Sequence, residues 1–142
     1  MIYIASDHDG FETKNVIKKY LEGQHVPYQD VGPFELVKND DYPDFASELC
    51  QKISDDDMGI LVCDTGIGMS IAANRFKTIR AALCSSIFDA MRAREHNNAN
   101  VLVIGAKVID TPTRESILKV FFSTPFSTEG RHKRRVDKLS LL

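Results

Sequence analysis

Met58-Gly-Ile-Leu-Val-Cys63 is followed directly by Asp64-Thr-Gly-Ile-Gly-Met-Ser70. The first stretch is a continuous apolar run of strand length, which is typical of a strand buried on both faces of a parallel sheet. The second is a polar turn with two glycines, and it leads into a helical stretch that carries Ile71, Ala72 and Ala73. A buried strand that enters a helix through such a turn is a unit of an α/β protein.

The same alternation continues along the chain on both sides of this unit. Four more β-branched or apolar runs cover Ile2 to Ala5, Val26 to Val31, Ile79 to Cys84 and Val101 to Ile104. Stretches of helical period separate these runs, so we expect parallel strands joined by right-handed crossovers. The predicted fold is a three-layer α/β/α sandwich with a five-stranded parallel sheet in the flavodoxin-like or Rossmann-like order 2-1-3-4-5. In that order strands one and three lie side by side, and a ligand crevice opens where they end.

Local signals place two helix starts and two irregular segments. Ser86 followed by Asp89 resembles a capping box, and Thr111-Pro112 begins another helix. Gly32 to Pro43 is the longest predicted loop, and the structure of the tail after Phe122 stays open.

Composition indicates one ordinary globular domain, residues 1–142. The chain has 18 Lys+Arg against 20 Asp+Glu, a net charge of −2, which gives no reason to expect nucleic acid as a partner. No apolar run is long enough for a membrane span, and the first residues do not resemble a signal peptide. The three cysteines, Cys50, Cys63 and Cys84, form no CxxC pair, so we expect neither disulfides nor zinc. A cytoplasmic protein is the expectation.

Two polar segments come at the ends of strands one and three. Strand one ends in Ser6-Asp7-His8-Asp9-Gly10, and Cys63 ends strand three just before a helix N-terminus. The field of that helix start favours a thiolate, so Cys63 is a candidate base. The plainer alternatives are that Cys63 is a small buried apolar residue and that Asp7 caps a helix beside an incidental imidazole.

The glycine turn after Cys63 is predicted to bind a developing negative oxygen, because its successive amides from Gly66 to Ser70 could surround one. The sequence lacks the motifs of three well-known phosphate-binding or nucleotide-binding loops. There is no Walker string, Ile71 replaces the third glycine of a dinucleotide fingerprint, and Met69 replaces the arginine that a cysteine phosphatase needs.

Two further segments carry candidate groups. His96 comes at the end of the fourth helix, and Arg131 and Arg135 are four residues apart, so they would share a helical face that can hold a phosphate. The alternatives are an imidazole that caps carbonyls and a solvated basic tail. Taken together, the candidates favour proton transfer on a small phosphorylated carbonyl compound, with no metal or cofactor.

Five motifs in order resemble the ribose-5-phosphate isomerase B family, which also includes galactose-6-phosphate isomerase subunits. They span essentially the whole chain: S-D-H-x-G from Ser6, D-Y-P-D from Asp41 to Asp44, C-x-T-G-x-G-x-S-I-A-A-N from Cys63 to Asn74, H-N-x-x-N from His96 to Asn100, and G-R-H-x-x-R-V from Gly130 to Val136.

The resemblance implies a metal-free aldose-ketose isomerase that acts through an enediolate, interconverting ribose 5-phosphate and ribulose 5-phosphate in the pentose phosphate pathway. It implies that Cys63 is the base, that His96 and Thr65 help to open the furanose ring, and that Asp7 belongs to the catalytic set. The implied substrate-binding positions are His8, Asp64, Gly66, Ile67, Gly68, Met69, Ser70, Asn97 and Lys107. The implied phosphate ligands are His8, Arg131 and Arg135.

The resemblance also implies a homodimer or tetramer whose active site combines the Cys63 loop of one subunit with the His96 segment of another. Two positions depart from the family pattern. Asp64 stands where a small residue is usual, and we expect it to point away from the sulfur, because a facing carboxylate would raise the pKa of Cys63. Lys107 stands where many relatives carry an arginine, and a lysine lacks the bidentate fork.

Two other functions stay open at this point. One is isomerisation of a six-carbon sugar phosphate, such as allose or galactose 6-phosphate. The other is a non-catalytic module that binds a sugar phosphate in the same crevice, against which the presence of both Cys63 and His96 argues.

Overall fold

The computed structural model describes all 142 residues and contains five strands and six helices. Their bounds are β1 Ile2–Ser6, α1 Phe11–Gly23, β2 Tyr28–Gly32, α2 Tyr42–Lys52, β3 Met58–Cys63, α3 Ile67–Ala73, β4 Ala81–Leu83, α4 Ile87–Asn97, β5 Val101–Gly105, α5 Thr111–Ser123 and α6 Gly130–Leu139. The three-layer α/β/α class and the five parallel strands are confirmed. None of the helices combines the length and the hydropathy that crossing a membrane requires.

The strand order is β2-β1-β3-β5-β4. Strands β1 and β3 are neighbours, as predicted, but the predicted order of the last two strands is wrong. The reason lies in their burial. Every residue of β5 is buried, whereas β4 has three residues and ends in the exposed Leu83. A strand buried on both faces takes an inner position, and the short one is left at the edge.

Two apolar layers hold the sheet between its helices. Along β3, Ile60 and Val62 join the core under α1, α4 and α5, while Leu61 and Cys63 join the core under α2 and α3. Alternate side chains of a strand point to opposite faces, so a strand covered on both faces must be apolar at every position. This accounts for the unbroken apolar run that ends at Cys63, and it places the thiol on the α2–α3 side.

The predicted helix starts are confirmed. The Ser86 hydroxyl accepts the Asp89 amide at 3.1 Å, and the Asp89 carboxylate accepts the Ser85 amide at 3.0 Å, one residue before the usual capping-box position. Helix α5 begins at Thr111, and its cap is Asp110, which accepts the Thr113 amide at 2.9 Å.

The tail folds back onto the body of the protein as α6. His132 and Val136 are buried on its inner side, four residues apart on one helical face. Before the helix, the Ser127 amide donates to the Glu95 carbonyl at 2.9 Å, which ties the tail to α4. The basic residues of α6 are therefore held in fixed positions.

A buried lysine anchors the loop after β2. The side chain of Lys14 on α1 is fully buried, and its ammonium donates to the Asp30 carboxylate at 2.8 Å and to the Pro33 carbonyl at 2.6 Å. Lys18 donates to the other Asp30 oxygen at 2.6 Å. Removing one partner of such a buried pair costs about 3–5 kcal/mol. The segment from Pro33 to Asp41 is thereby fixed at its start.

Candidate active site

The sulfur of Cys63 lies at the carboxyl end of β3, where the residue is 5% exposed. The Gly66 amide donates to this sulfur at 3.2 Å. Gly66 has a φ of 83°, in the left-handed region that glycine adopts without steric penalty. Any side chain at this position would also collide with Leu83 of the edge strand. The turn therefore needs glycine for both conformation and space.

Burial raises the pKa of the Cys63 thiol above its ordinary value, and the negative charge of Asp7 adds to this effect. The amides of Met69, Gly66 and Thr65 act in the opposite direction, as the helix start was expected to do, but they do not outweigh burial. The helix start thus acts on the thiol in the expected direction, and burial is the larger effect in the single chain. The Met69 side chain is fully buried, in the same apolar cluster as Cys63, and its backbone amide is directed at the sulfur.

Not all of the five amides from Gly66 to Ser70 that were predicted to bind an oxyanion are free to do so. The Ser70 amide donates to the Gly66 carbonyl at 3.0 Å, and the Ile67 amide donates to the Thr65 hydroxyl at 3.3 Å. The Gly68 amide has no partner in the chain, because it lies in the first turn of α3. The Gly66 and Met69 amides are directed at the Cys63 sulfur, which leaves Gly68 as the free donor among the five.

Asp7 and His8 stand at the end of β1, next to β3. One Asp7 oxygen accepts the Gly10 amide at 2.9 Å, which fits the capping alternative, and burial raises the pKa of the Asp7 carboxyl. The His8 ring contacts two carboxylates: its Nδ1 lies 2.6 Å from Asp40, and its Nε2 lies 3.4 Å from Asp9. These bonds raise the pKa of His8, with the Asp40 contact as the main cause.

Two residues of this site come from the segment that was predicted only as a loop. The Asp40 side chain is 9% exposed and faces His8. The Tyr42 ring at the start of α2 packs so closely over Gly68 that a side chain there would clash with it. Tyr42 could have been found through the D-Y-P-D motif. Asp40 carried no such signal, because its role depends on how the loop folds back.

Lys107 follows β5 and lies at the same carboxyl end of the sheet as Cys63. Its ammonium lies 3.1 Å from Asp64 and 3.6 Å from Asp9. The Asp64 carboxylate thus faces Lys107, and the carboxylate that raises the Cys63 pKa is that of Asp7. We call the residues at this end the thiol cluster: Asp7, His8, Asp40, Tyr42, Cys63, Lys107 and the turn from Asp64 to Ser70.

The remaining predicted residues, together with His132, form a separate group, the basic cluster: His96, Asn97, Arg131, His132 and Arg135. The rings of His96 and His132 are stacked with their centroids 4.1 Å apart and their planes inclined by 14°. Burial lowers the pKa of His132, and the positive charges around it act in the same direction. Arg131 and Arg135 are exposed on α6. Sequence analysis missed His132 as the partner of His96.

The two clusters lie at opposite ends of the parallel strands. His96 is in the last turn of α4, directly before β5 begins at Val101, whereas Cys63 is paired with Gly105 at the other end of that strand. Four residue steps of a parallel strand, at about 3.3 Å each, separate these ends by roughly 13 Å. One chain therefore does not bring Cys63 and His96 together.

One cavity of the chain lies away from the thiol cluster. A cavity of about 560 Å³ lies between the end of α3 and the end of α6, and it includes Asn97 but not Cys63. We favour the thiol cluster as the reactive site, because reactive groups and unused donors meet there. Of the residues that could hold a metal, Asp7, His8 and Asp40 have ligand atoms within 4.8 Å of one another. The direct contact of His8 with Asp40 already occupies one atom of each.

A model of the family described as ribose/galactose isomerase matches residues 2–139 of the chain. The chain belongs to this family.

Similarity to individual members extends over almost the whole length. A putative sugar phosphate isomerase of Rickettsia conorii is 46% identical over 140 residues, which cover 97% of this chain and 96% of that protein. The solved ribose 5-phosphate isomerase B of Anaplasma phagocytophilum is 46% identical, with a TM-score of 0.92 and coverage of 97% and 94%. The enzyme of Mycoplasma genitalium, solved with bound ribulose 5-phosphate, is 41% identical, with a TM-score of 0.94 and coverage of 99% and 93%.

Proposed function

We propose that this member of the ribose/galactose isomerase family interconverts ribose 5-phosphate and ribulose 5-phosphate through an enediolate, without a metal. The observation that carries the proposal is the setting of Cys63. Its sulfur lies at the end of the central strand, beside Asp7, and receives a hydrogen bond from Gly66. The related Mycoplasma genitalium structure that holds ribulose 5-phosphate supports this choice of sugar.

The chemistry needs one proton to move between neighbouring carbons. The Cys63 thiolate takes the proton from C2 of the open-chain aldose, and the electron pair of that bond shifts toward the C1 carbonyl to give an enediolate. The free amide of Gly68 stabilises the developing negative oxygen. Return of the proton to C1, with transfer of a hydroxyl proton from O2 to O1, gives the ketose. His96, assisted by Thr65, opens the furanose ring before this step.

We further propose that the active site forms between two copies of the chain, in a homodimer or tetramer. The basic cluster is out of reach of Cys63 within one chain, so a second copy must supply His96, Asn97 and the phosphate-binding Arg131 and Arg135. An exposed apolar surface flanks the thiol cluster and would be covered by that copy: Ile67, Ile71, Leu83, Ile87 and Phe88.

A cytoplasmic location belongs to the same proposal. All three cysteines are free and buried, as expected for a protein of a reducing compartment.

The test is an assay of ketose formation from ribose 5-phosphate, with allose 6-phosphate and galactose 6-phosphate in parallel, in the presence and absence of a chelator. We expect the highest kcat/KM with ribose 5-phosphate and no effect of the chelator. A preference for a six-carbon substrate would change the assigned sugar, and loss of activity on chelation would contradict the metal-free mechanism. Binding of all three without turnover would identify a non-catalytic module.

A further inference from the structure

One carboxylate of the β2–α2 loop determines how His8 is presented at the thiol cluster. The same oxygen of Asp40 accepts the backbone amide of His8 at 2.9 Å and contacts its ring Nδ1 at 2.6 Å. The second of these is as short as a charge-assisted hydrogen bond. Two bonds from one oxygen fix both the backbone and the ring of His8. We propose that Asp40 is a positioning residue that orients His8 and keeps its imidazole positively charged, ready to bind an anionic oxygen of the substrate.

The hydrogen-bond inventory of the ring supports the positive charge. A carboxylate can only accept, so Nδ1 must carry a proton toward Asp40. The other ring nitrogen, Nε2, faces the Asp9 carboxylate at 3.4 Å. In a neutral ring its lone pair would point toward that negative charge, whereas an imidazolium donates to both carboxylates.

The other charges near His8 act in the same direction. Asp7, Asp9 and Asp40 all favour the positive form, with Asp40 as the strongest contributor. The cation of the thiol cluster, Lys107, contacts Asp9 at 3.6 Å and is also paired with Asp64. Both charged groups in contact with the His8 ring are therefore carboxylates, one at the end of β1 and one in the loop before α2.

The setting of Asp40 indicates that its charge needs a compensating cation. Its side chain is 9% exposed, and its second oxygen, Oδ2, is buried without a hydrogen-bond partner. An under-satisfied buried carboxylate is costly unless a positive group neutralises it. His8 is the positive partner in contact with it, while the ring itself stays 29% exposed and can still reach a ligand.

The experiment measures the ionisation of His8 directly. Proton NMR titrations of the histidine C2 hydrogens are recorded for the full-length wild type and for Asp40→Asn, with the His8 signal assigned from its loss in His8→Gln. We expect a wild-type midpoint above the ordinary value of about 6.5 and a fall of about one pH unit or more in Asp40→Asn. Asp41→Asn is the matched control, since it removes the same charge from the neighbouring exposed residue and should leave the midpoint unchanged.

The role toward substrate rests on the proposed function and has its own measurement. In Asp40→Asn, KM for ribose 5-phosphate should be several-fold higher than in the wild type, while kcat changes less. The pH above which KM increases should also be lower in Asp40→Asn than in the wild type, because His8 loses its proton earlier. Asp40→Glu, which keeps the carboxylate, should retain a raised His8 midpoint and also covers the case in which Asp40→Asn does not fold. Equal midpoints in wild type and Asp40→Asn would overturn the proposal. Absence of isomerase activity would overturn the function but leave the titration as a test.

Discussion

The ammonium of Lys107 lies 3.1 Å from the carboxylate of Asp64. Sequence analysis singled out these two positions as departures from the resemblance, and in the folded chain they form an ion pair with each other. Lys107 also lies 3.6 Å from Asp9, so one positive charge is shared between two carboxylates. A lysine balanced in this way attracts a phosphate less strongly than a free one.

This pair predicts a dependence between the two positions. Lys107→Met alone should change KM for ribose 5-phosphate little, because the charge it removes is already balanced. In an Asp64→Gly background the lysine is released, and there Lys107→Met should raise KM several-fold. Both side chains are largely exposed, so melting temperatures should stay unchanged. The same rise in KM in both backgrounds would show that Lys107 binds phosphate independently of Asp64.

The position of the two clusters predicts complementation between defective chains. Cys63→Ala should leave the fold intact and reduce kcat to less than a tenth of the wild-type value, because it removes the proposed base. His96→Asn should be defective through the other cluster. When the two variants are unfolded together and refolded, mixed oligomers contain some sites with both intact residues, and activity should return. A mixture as inactive as its components would place the whole active site within one chain.

The raised pKa of Cys63 predicts the acidic limb of the pH profile. In the proposed mechanism the thiolate is the active form, so kcat should increase with pH through the Cys63 pKa, which is raised by burial and then by Asp7. Asp7→Asn removes that charge and should move the acidic limb of the kcat profile to lower pH.

Alkylation of Cys63 by iodoacetamide measures the same pKa without an activity assay. Burial raises the pKa of Cys50 and of Cys84 to about 12, so these thiols should not react in the same range. Identical alkylation profiles in both proteins would contradict the role of Asp7.

The exposed arginines of α6 predict an effect on binding without an effect on stability. Arg135→Ala should raise KM for the phosphorylated sugar, with little change in melting temperature, because the side chain is exposed. Lys133→Ala is the matched control. It removes the same charge from the same helix, where Lys133 pairs with Asp137 at 2.6 Å, and it should leave KM unchanged. If Arg135→Ala lowers the melting temperature strongly, the arginine is structural.

Much of the fold could be predicted from the sequence because β3 and its turn combine an unbroken apolar run with two glycines. The positions of Cys63 and Asp7 at neighbouring strand ends followed from the alternation of strands and helices. The order of β4 and β5 did not follow, since the sequence shows both as short apolar runs, Ile79 to Cys84 and Val101 to Ile104. Only packing shows that β5 is buried throughout while β4 is reduced to three residues at the edge.

The parts of the site that sequence analysis missed depend on contacts between distant segments. Asp40 is 32 positions from His8, and nothing in the composition of its loop indicates that it folds back onto β1. The balance at Cys63 could not be predicted for a related reason. The amide field of a helix start can be inferred from a motif, but burial of the sulfur depends on helices contributed by the rest of the chain.

The enclosed ammonium of Lys14 gives this protein a built-in reporter of local opening. Reagents that acylate amines modify exposed lysines directly, but they can reach Lys14 only when the Asp30 and Pro33 contacts break and the start of the β2–α2 loop opens. The rate at which Lys14 becomes acylated in the native protein therefore measures how often the start of that loop opens, and a bound sugar phosphate that holds the loop in place should slow the labelling.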